Sequence, residues 1–432
     1  MEPSQSDIWK AVKLVATGKT LCQHESGKLA FAYGPLPEES IVAQEVALQH
    51  QTLHIVRWEL LQASQERRIA ACPYYESCGG CDWMHINEAA QSRFKREMLT
   101  DALKRITKID VPPGTITFYA SPKALAYRNR LKLHIDNKGR WGLRAHRSHD
   151  LIEISNCLIS NAKINEVITT LRKLGSVPPF FSSCSQMEIR ASSTQSSALV
   201  VFYPKKHAKK QKLEQLYASL EGKLALSIAG HPELGPSIQG WNNGSLELEI
   251  PVTAFVQVND DINELMVERV IQGAKQRKLH SVCDAFCGAG NFILPLVKAG
   301  LTGLGIESHP QAIQSAKATS QRLGYEQQVD FIASDAQTAL QELNQRKQSY
   351  DLVILDPPRR GAKNLVDYAA KATRSHLLFC ACDPVSLARD LKAFLERGFA
   401  LEHIELFDLF AQTHHFESIV WLKKAHNVAS LP

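Results

Sequence analysis

The spacing of apolar residues changes character twice along this chain. From about residue 8 to 65 the apolar runs are short: Ala11-Val12-Lys13-Leu14-Val15, Lys28-Leu29-Ala30-Phe31-Ala32-Tyr33, Ser40-Ile41-Val42-Ala43 and Leu53-His54-Ile55-Val56. Gly18, Gly27 and Gly34-Pro35 separate them, and strands so short and evenly spaced predict a small OB-like β-barrel. Residues 86–108 then carry Phe94, Met98, Leu99, Leu103 and Ile106 at helical spacing. The span from about 110 to 250 mixes strands such as Arg130-Leu131-Lys132-Leu133-His134-Ile135 with one clear helix near 163–173. From about 251 the two periods alternate: helix 260–277, strand 281–285, helix 291–299, strand 302–306, helix 309–323, strand 329–332 and strand 351–355. Such alternation predicts a parallel sheet with helices on both faces. Three domains follow, at 1–65, 66–250 and 251–432.

Composition adds limits rather than identity. An apolar fraction of 44% over 432 residues is that of a globular chain with full cores. The net charge of +6 fits a nucleic-acid partner only if the charge is clustered. The first seven residues hold no basic region followed by an apolar run, so no leader is expected. No stretch approaches the ~20 apolar residues that span a bilayer, so no membrane contact is expected. Ten cysteines without secretory features point to a reducing compartment, the cytoplasm.

The cysteines narrow the chemistry. Cys72, Cys78 and Cys81 stand with five and then two residues between them, around the pair Gly79-Gly80. Three thiolates so close hold soft metal, and a fourth, best supplied by Cys157, would close an all-cysteine site. The spacing is neither the paired Cys-x2-Cys of a zinc ribbon nor the Cys-x3-Cys-x2-Cys of radical enzymes. An iron–sulfur cluster is the first reading, with structural zinc and buried or disulfide-bonded cysteines as alternatives.

The last domain carries the other motifs. Strand Ser281-Val282-Cys283-Asp284-Ala285 runs into Phe286-Cys287-Gly288-Ala289-Gly290-Asn291, and the next strand ends at Glu307. Glycines let the turn approach a ligand, and an acid after the second strand can accept both ribose hydroxyls of a nucleoside. The third glycine of a dinucleotide site is missing, which favours S-adenosylmethionine over NAD; an ordinary strand-to-helix turn is the bland alternative. An apolar strand ends at Asp356-Pro357-Pro358-Arg359, where amino-group methyltransferases would place an aromatic residue after the prolines. Cys382 precedes a helix, whose N-terminus favours a thiolate, whereas Cys380 reads as a buried strand residue. Glu417 borders an apolar strand that would raise its pKa toward that of a useful base, although taken alone it reads as a surface acid.

Together these stretches resemble the RNA uracil-5 methyltransferase family, in order and over nearly the whole chain. The resemblance is nearest the bacterial subgroup acting on large-subunit ribosomal RNA. It rests on Gly27-Lys28-Leu29-Ala30-Phe31, Cys-x5-Cys-Gly-Gly-Cys, Tyr127-Arg128-Asn129-Arg130, Phe255-Val256-Gln257-Val258-Asn259, and the runs around Asn291, Asp356 and Cys382. It implies a Rossmann-like α/β methyltransferase domain, preceded by a TRAM barrel and a central α+β domain carrying a [4Fe-4S] cluster on Cys72, Cys78, Cys81 and Cys157. Cys382 falls on the nucleophile and Glu417 on the base. Gln257, Phe286, Asn291, Glu307, Asp335 and Asp356 fall on positions that bind S-adenosylmethionine. Arg128, Arg130 and Arg359 are candidate phosphate contacts. The expected partner is RNA, 23S rRNA before tRNA, and the expected state a monomer. Asp383, Ala411 and Ala381 depart from the usual letters, and Asp383 should raise the pKa of the thiol beside it. Cytosine-5 methylation and a non-catalytic RNA-binding assembly factor are the rival readings.

Overall fold

A closed barrel, a six-stranded sheet and an eight-stranded sheet make up the computed structural model, which describes residues 8–146, 148–174 and 180–425. The first seven residues, which argued against a leader, lie outside these. Strands β1 (Ile8–Leu14), β2 (Thr20–His24), β3 (Leu29–Ala32), β4 (Ser40–Gln49) and β5 (Thr52–Gln62) close in the order β1-β2-β3-β5-β4. Trp9, Ala11, Cys22, Ala30, Ala32, Ile41 and Ile55 fill the interior. Strand β2 was not expected, since little more than Leu21 and Cys22 marks it. Strands β4 and β5 run well past the expected 40–43 and 53–56, as a hairpin whose end carries the exposed Leu48. Backbone pairing extends there beyond the barrel core, so no burial pattern announces it.

Helix α1 (Glu88–Thr107) starts at the cap Asn87, whose side chain accepts the Ala90 N–H at 2.8 Å. Its expected apolar face is buried, but against the catalytic layer: Phe94, Met98, Leu99 and Leu103 share a core with Val353, Phe379 and Leu391. Strand β6 (Thr117–Tyr119) continues that layer as its edge strand. Within the span 66–250, residues 88–119 therefore pack as part of the catalytic layer. The rest forms the sheet β12-β11-β10-β7-β8-β9, from β7 (Arg130–Ile135), β8 (Trp141–Arg144), β9 (Leu151–Ile152), β10 (Cys184–Arg190), β11 (Leu199–Pro204) and β12 (Ala225–Ile228). Helices α2 (Ala162–Lys173) and α3 (Lys210–Leu220) supply Ile164, Ile168, Leu213 and Leu216 to its core. The hairpin β13 (Ile238–Asn242) and β14 (Glu247–Pro251) packs on the far half of the catalytic core through Trp241 and Leu248.

The catalytic layer follows the predicted alternation. Its helices are α4 (Asp260–Gln276), α5 (Ile293–Lys298), α6 (Pro310–Arg322), α7 (Ala336–Gln345), α8 (Val366–Ala372) and α9 (Pro384–Leu395). Its strands are β15 (Ser281–Asp284), β16 (Thr302–Glu307), β17 (Val329–Ala333), β18 (Tyr350–Leu355), β19 (Thr373–Ala381), β20 (Phe399–Phe407) and β21 (Glu417–Lys424). They lie in the order β17-β16-β15-β18-β19-β21-β20-β6, and the first five run parallel. The order reverses at β15, which pairs with both β16 and β18, and in such sheets ligands bind outside the carboxyl ends of the strands at this point. Among the described residues no helix is long and apolar enough to cross a membrane.

Candidate active site at the carboxyl edge of the sheet

Five parallel strands, β15 to β19, end at this edge, and each delivers a polar side chain at or just past its end. After β15 the chain turns through Gly288 and Gly290, at φ +54° and +103°. A Cβ on Gly290 would lie 2.5 Å from Leu294 Cδ1, so both conformation and space require glycine there. Asn291 is locked by a reciprocal pair with Asn263 of α4, donating to its Oδ1 at 2.9 Å and accepting from its Nδ2 at 3.1 Å. Asn243 holds the Asn291 carbonyl at 3.0 Å. Glu307, at the end of β16, accepts the His309 N–H at 2.9 Å and the Ser308 hydroxyl at 3.0 Å. Asp335, after β17, caps α7 by accepting the Thr338 N–H at 3.0 Å. Gln257 precedes α4, and its carbonyl is held by Asn129 Nδ2 at 2.8 Å. Phe286, half-buried, packs against the catalytic core.

Asp284 was not singled out from the sequence. It is buried at the tip of β15, and its Oδ2 has no hydrogen-bond partner. Burial, with the charges of Asp356 and Glu307 behind it, raises its pKa to about 8. The one signal in the sequence was an acid inside the apolar run Val282-Cys283-Asp284-Ala285.

Further along this edge, β19 and β21 run antiparallel with Ala381 opposite Ser418, and Ser418 Oγ donates to the Ala381 carbonyl at 2.7 Å. One step further in that register, Cys382 comes level with Glu417. Cys380 is wholly buried among core residues, while Cys382 lies just past the strand and is partly open. Strand alternation gave both the same facing; the end of the strand separates them. Glu417 is 5% exposed and its Oε1 lacks a partner, so it is not a surface acid. Burial and the neighbouring Asp356 push its pKa far above the carboxylate range. Asp356 is itself raised to about 6 by burial.

The expected thiolate is absent in the resting site. Burial, then the charges of Glu417, Asp356 and Asp383, hold the Cys382 thiol up at about 12, and only Arg359 opposes them. The helix N-terminus lies where the sequence put it, but its dipole is spent on Asp383, whose carboxylate caps α9 by accepting the Ser386 N–H at 2.7 Å. Arg359 stands 3.4 Å from His415, beside this group.

Elsewhere, Cys72, Cys78, Cys81 and Cys157 line one cavity of ≈ 200 Å³ with Met84, Leu131 and Ile159. All ten cysteines are free thiols in the structure. Burial raises the thiols of Cys72, Cys78 and Cys81, and the charge of Cys157 raises each further. Among the described residues no three side chains converge on a point where one ion would sit. Four thiols lining one cavity are the soft donor set that either a zinc ion or an iron–sulfur cluster takes. Arg128 lines the same cavity and its Nε donates to the Arg130 carbonyl at 2.8 Å. Arg130 lies 3.9 Å from Glu188 and 4.7 Å from the Phe255 ring centre, so both arginines are engaged within the protein.

Residues 242–425 match the family described as tRNA (uracil-5-)-methyltransferase. The 23S rRNA (uracil(1939)-C(5))-methyltransferase RlmD of Psychromonas ingrahamii is 30% identical over 95% of this chain and 94% of its own length. That of Neisseria lactamica is 28% identical over 91% of this chain and 90% of its own. The crystal structure of Pyrococcus abyssi tRNA (uracil-54, C5)-methyltransferase with S-adenosyl-L-homocysteine shares the fold. Its TM-score is 0.71 at 19% identity, over 96% of this chain and all of that one. With a relative this similar along nearly its whole length, the chain belongs to the RNA uracil-5-methyltransferase family.

Proposed function

We propose that this protein methylates carbon 5 of one uridine in 23S rRNA, with S-adenosylmethionine as donor, through a covalent adduct on Cys382. The observation that carries the reading is that the adjoining ends of β19, β21 and β18 bring Cys382, Glu417 and Asp356 near enough to act on one another's charge. The uridine leaves its stack, which costs a few kcal/mol, to reach this edge of the sheet. The Cys382 thiol gives its proton to water, the thiolate adds to carbon 6, and the electrons of the 5,6 double bond pass to the carbonyl oxygen at carbon 4. The enolate's carbon 5 attacks the donor methyl, and the S–CH3 bond breaks to leave S-adenosylhomocysteine. The Glu417 carboxylate takes the carbon-5 proton, the carbon 6–sulfur bond breaks, and the thiolate is restored. Asp356 and its proline-locked loop hold the edge of the base. Gln257, Phe286, Asn291, Glu307 and Asp335 frame the donor, and the buried Asp284 lies at the same edge of the sheet. Arg359 is the arginine placed for contact with RNA. All these residues stand on one chain, which is expected to act as a monomer in the cytoplasm.

The neutral resting thiol has a consequence. Opposite charge nearby favours the ionised form, so the donor's positive sulfur should lower the thiol pKa. Peptide-resolved alkylation at pH 8 is expected to modify Cys382 about tenfold faster with S-adenosylmethionine bound than with S-adenosylhomocysteine, one unit of pKa. Raising the pH should speed alkylation in both states, since more thiolate forms. Equal rates with the two ligands would contradict this.

The [4Fe-4S] cluster belongs to the same proposal. Cys72, Cys78, Cys81 and Cys157 would hold it, and its role is structural because methyl transfer moves no electron. Cys157→Ser is expected to lose iron. Cys22→Ser and Cys184→Ser should keep it, because those thiols sit in the barrel and central cores. Stoichiometric zinc in anaerobically purified protein would overturn the assignment.

The target is tested by nucleoside mass spectrometry of 23S rRNA and tRNA transcripts after incubation with enzyme and donor. Expected is 5-methyluridine in 23S rRNA. Modification of tRNA alone would move the target, 5-methylcytidine would overturn the chemistry, and binding without any methylation would support the assembly-factor reading.

A further inference from the structure

The loop between β20 and β21 leads directly into Glu417, and most of what holds it lies outside the catalytic domain. Trp83 N–H donates to the Gln412 carbonyl at 3.0 Å, and Tyr127 Oη to the Ala411 carbonyl at 3.0 Å. The Gln412 side chain is gripped by Gln91 at 3.1 Å and Arg68 at 3.0 Å. Lys95 reaches Asp408 at 2.5 Å. Closest to the reacting residues is Asp82, the neighbour of Cys81. Its Oδ1 accepts the His414 backbone N–H at 3.0 Å, and its Oδ2 pairs with His414 Nδ1. The barrel closes over the same pair: a Cβ on Gly18 would lie 2.7 Å from His414 Nδ1 and 2.8 Å from Asp82 Oδ2. Three regions of the chain thus converge on one carboxylate–imidazole pair. On its other side the His414 ring lies 3.9 Å from that of His415, which meets Arg359 at 3.4 Å.

We infer that Asp82 is a positioning residue for methyl transfer, acting through His414 to set the turn that presents Glu417 to Cys382 and His415 to Arg359. The inference rests on Glu417 being the base. Holding both the backbone and the ring of His414 removes the two motions that would swing this turn, and one carboxylate does both. A misplacement near 1 Å can cost about 100-fold in rate, and Glu417 lies only three residues beyond the clamp. Neither Asp82 nor His414 is proposed to touch the uridine, so the effect should fall on turnover rather than on donor binding.

The test is steady-state kinetics on a 23S rRNA transcript with full-length Asp82→Ala, His414→Ala and the double variant. Each single change is expected to lower kcat by roughly 10- to 100-fold, with KM for S-adenosylmethionine within about twofold of wild type. The double variant should be no slower than the slower single one, because both remove the same link. Asp82→Asn should recover most of the loss, since its oxygen can accept the backbone N–H and its amide can donate to Nδ1 of the other imidazole tautomer. Multiplying losses in the double variant, or an Asn variant as slow as the Ala one, would overturn the positioning role. If Asp82→Ala cannot be purified folded, His414→Ala decides: lowered kcat with unchanged donor KM supports the role, and wild-type kcat ends it. Glu417→Gln is measured alongside. Wild-type turnover there overturns the base assignment, whereas impaired Glu417→Gln with wild-type Asp82→Ala and His414→Ala overturns this inference alone.

Discussion

Replacing Cys382 with alanine is expected to reduce methyl transfer to background while S-adenosylmethionine affinity stays within about twofold of wild type. The loss is total because carbon 5 of a uracil is a poor nucleophile until something adds at carbon 6, and no other side chain at the site can do so. Donor binding survives because its proposed contacts lie at the ends of β15, β16 and β17, while Cys382 follows β19, beyond β18 in the sheet. Cys380→Ala is the control. Cys380 is 0% exposed among the core residues Leu378, Ile419 and Trp421, so its loss should touch packing and leave methylation in place. An inactive Cys380→Ala with an active Cys382→Ala would reverse the assignment. Isotope-labelled methyl transfer and donor titration measure the two halves of the prediction.

Glu417→Gln is expected to do something different: to trap rather than abolish. Addition of the thiolate and transfer of the methyl group both precede removal of the carbon-5 proton. A glutamine, nearly the same in shape but no base, should allow the first two steps and stall before the carbon 6–sulfur bond can break. Turnover should fall by about 10²–10⁴-fold, the usual share of a positioned base. A methylated protein–RNA complex that survives denaturing electrophoresis should build up with Glu417→Gln and be missing with Cys382→Ala. The substitution also tests the resting charge. Glu417 is buried with an unpartnered oxygen, and burial and Asp356 disfavour its charged form, so an amide replaces it at little electrostatic cost. The Glu417→Gln variant should therefore unfold no earlier than wild type in a thermal melt. Wild-type turnover with no trapped complex would remove Glu417 from the mechanism and make Asp383 the next acid to examine.

The catalytic domain was the most legible part of the chain, for a physical reason. Strands of a parallel sheet are covered on both faces, so they read as unbroken apolar runs such as Leu352-Val353-Ile354-Leu355, and the helices between them read at their own period. The expected helix 260–277 and strand 329–332 are observed as Asp260–Gln276 and Val329–Ala333. Pairing between distant segments was not legible. The spacing of Phe94, Met98 and Leu99 says that α1 buries a face, but nothing in it says that the face meets α9 rather than the central sheet. Strand β6, three residues long, is defined only by its partner β20.

The same division runs through the site. Cys382, Glu417 and Asp356 could be picked out because each ends or begins an apolar strand, and the fold brings those ends together. Their electrostatics could be read locally only in part: the effects of Asp383 on the thiol beside it and of the apolar strand on Glu417 were expected. A helix N-terminus by itself favours a thiolate, but it is outweighed by burial and then by the carboxylates of Glu417 and Asp356, which come from elsewhere in the chain, and of Asp383, which caps the helix. Asp82 and His414, 332 residues apart, left no local signal of their pairing at all.

The covalent adduct is the centre of this account, and RNA carrying 5-fluorouridine tests it most directly. Fluorine at carbon 5 cannot leave as a proton, so wild-type enzyme should add, transfer its methyl group and stop. After digestion, tandem mass spectrometry should find a methylated fluorouridine nucleotide attached to the peptide containing Cys382, and only when S-adenosylmethionine is present. Attachment at Cys380, or full methyl transfer to unmodified RNA with no adduct on any cysteine, would contradict it.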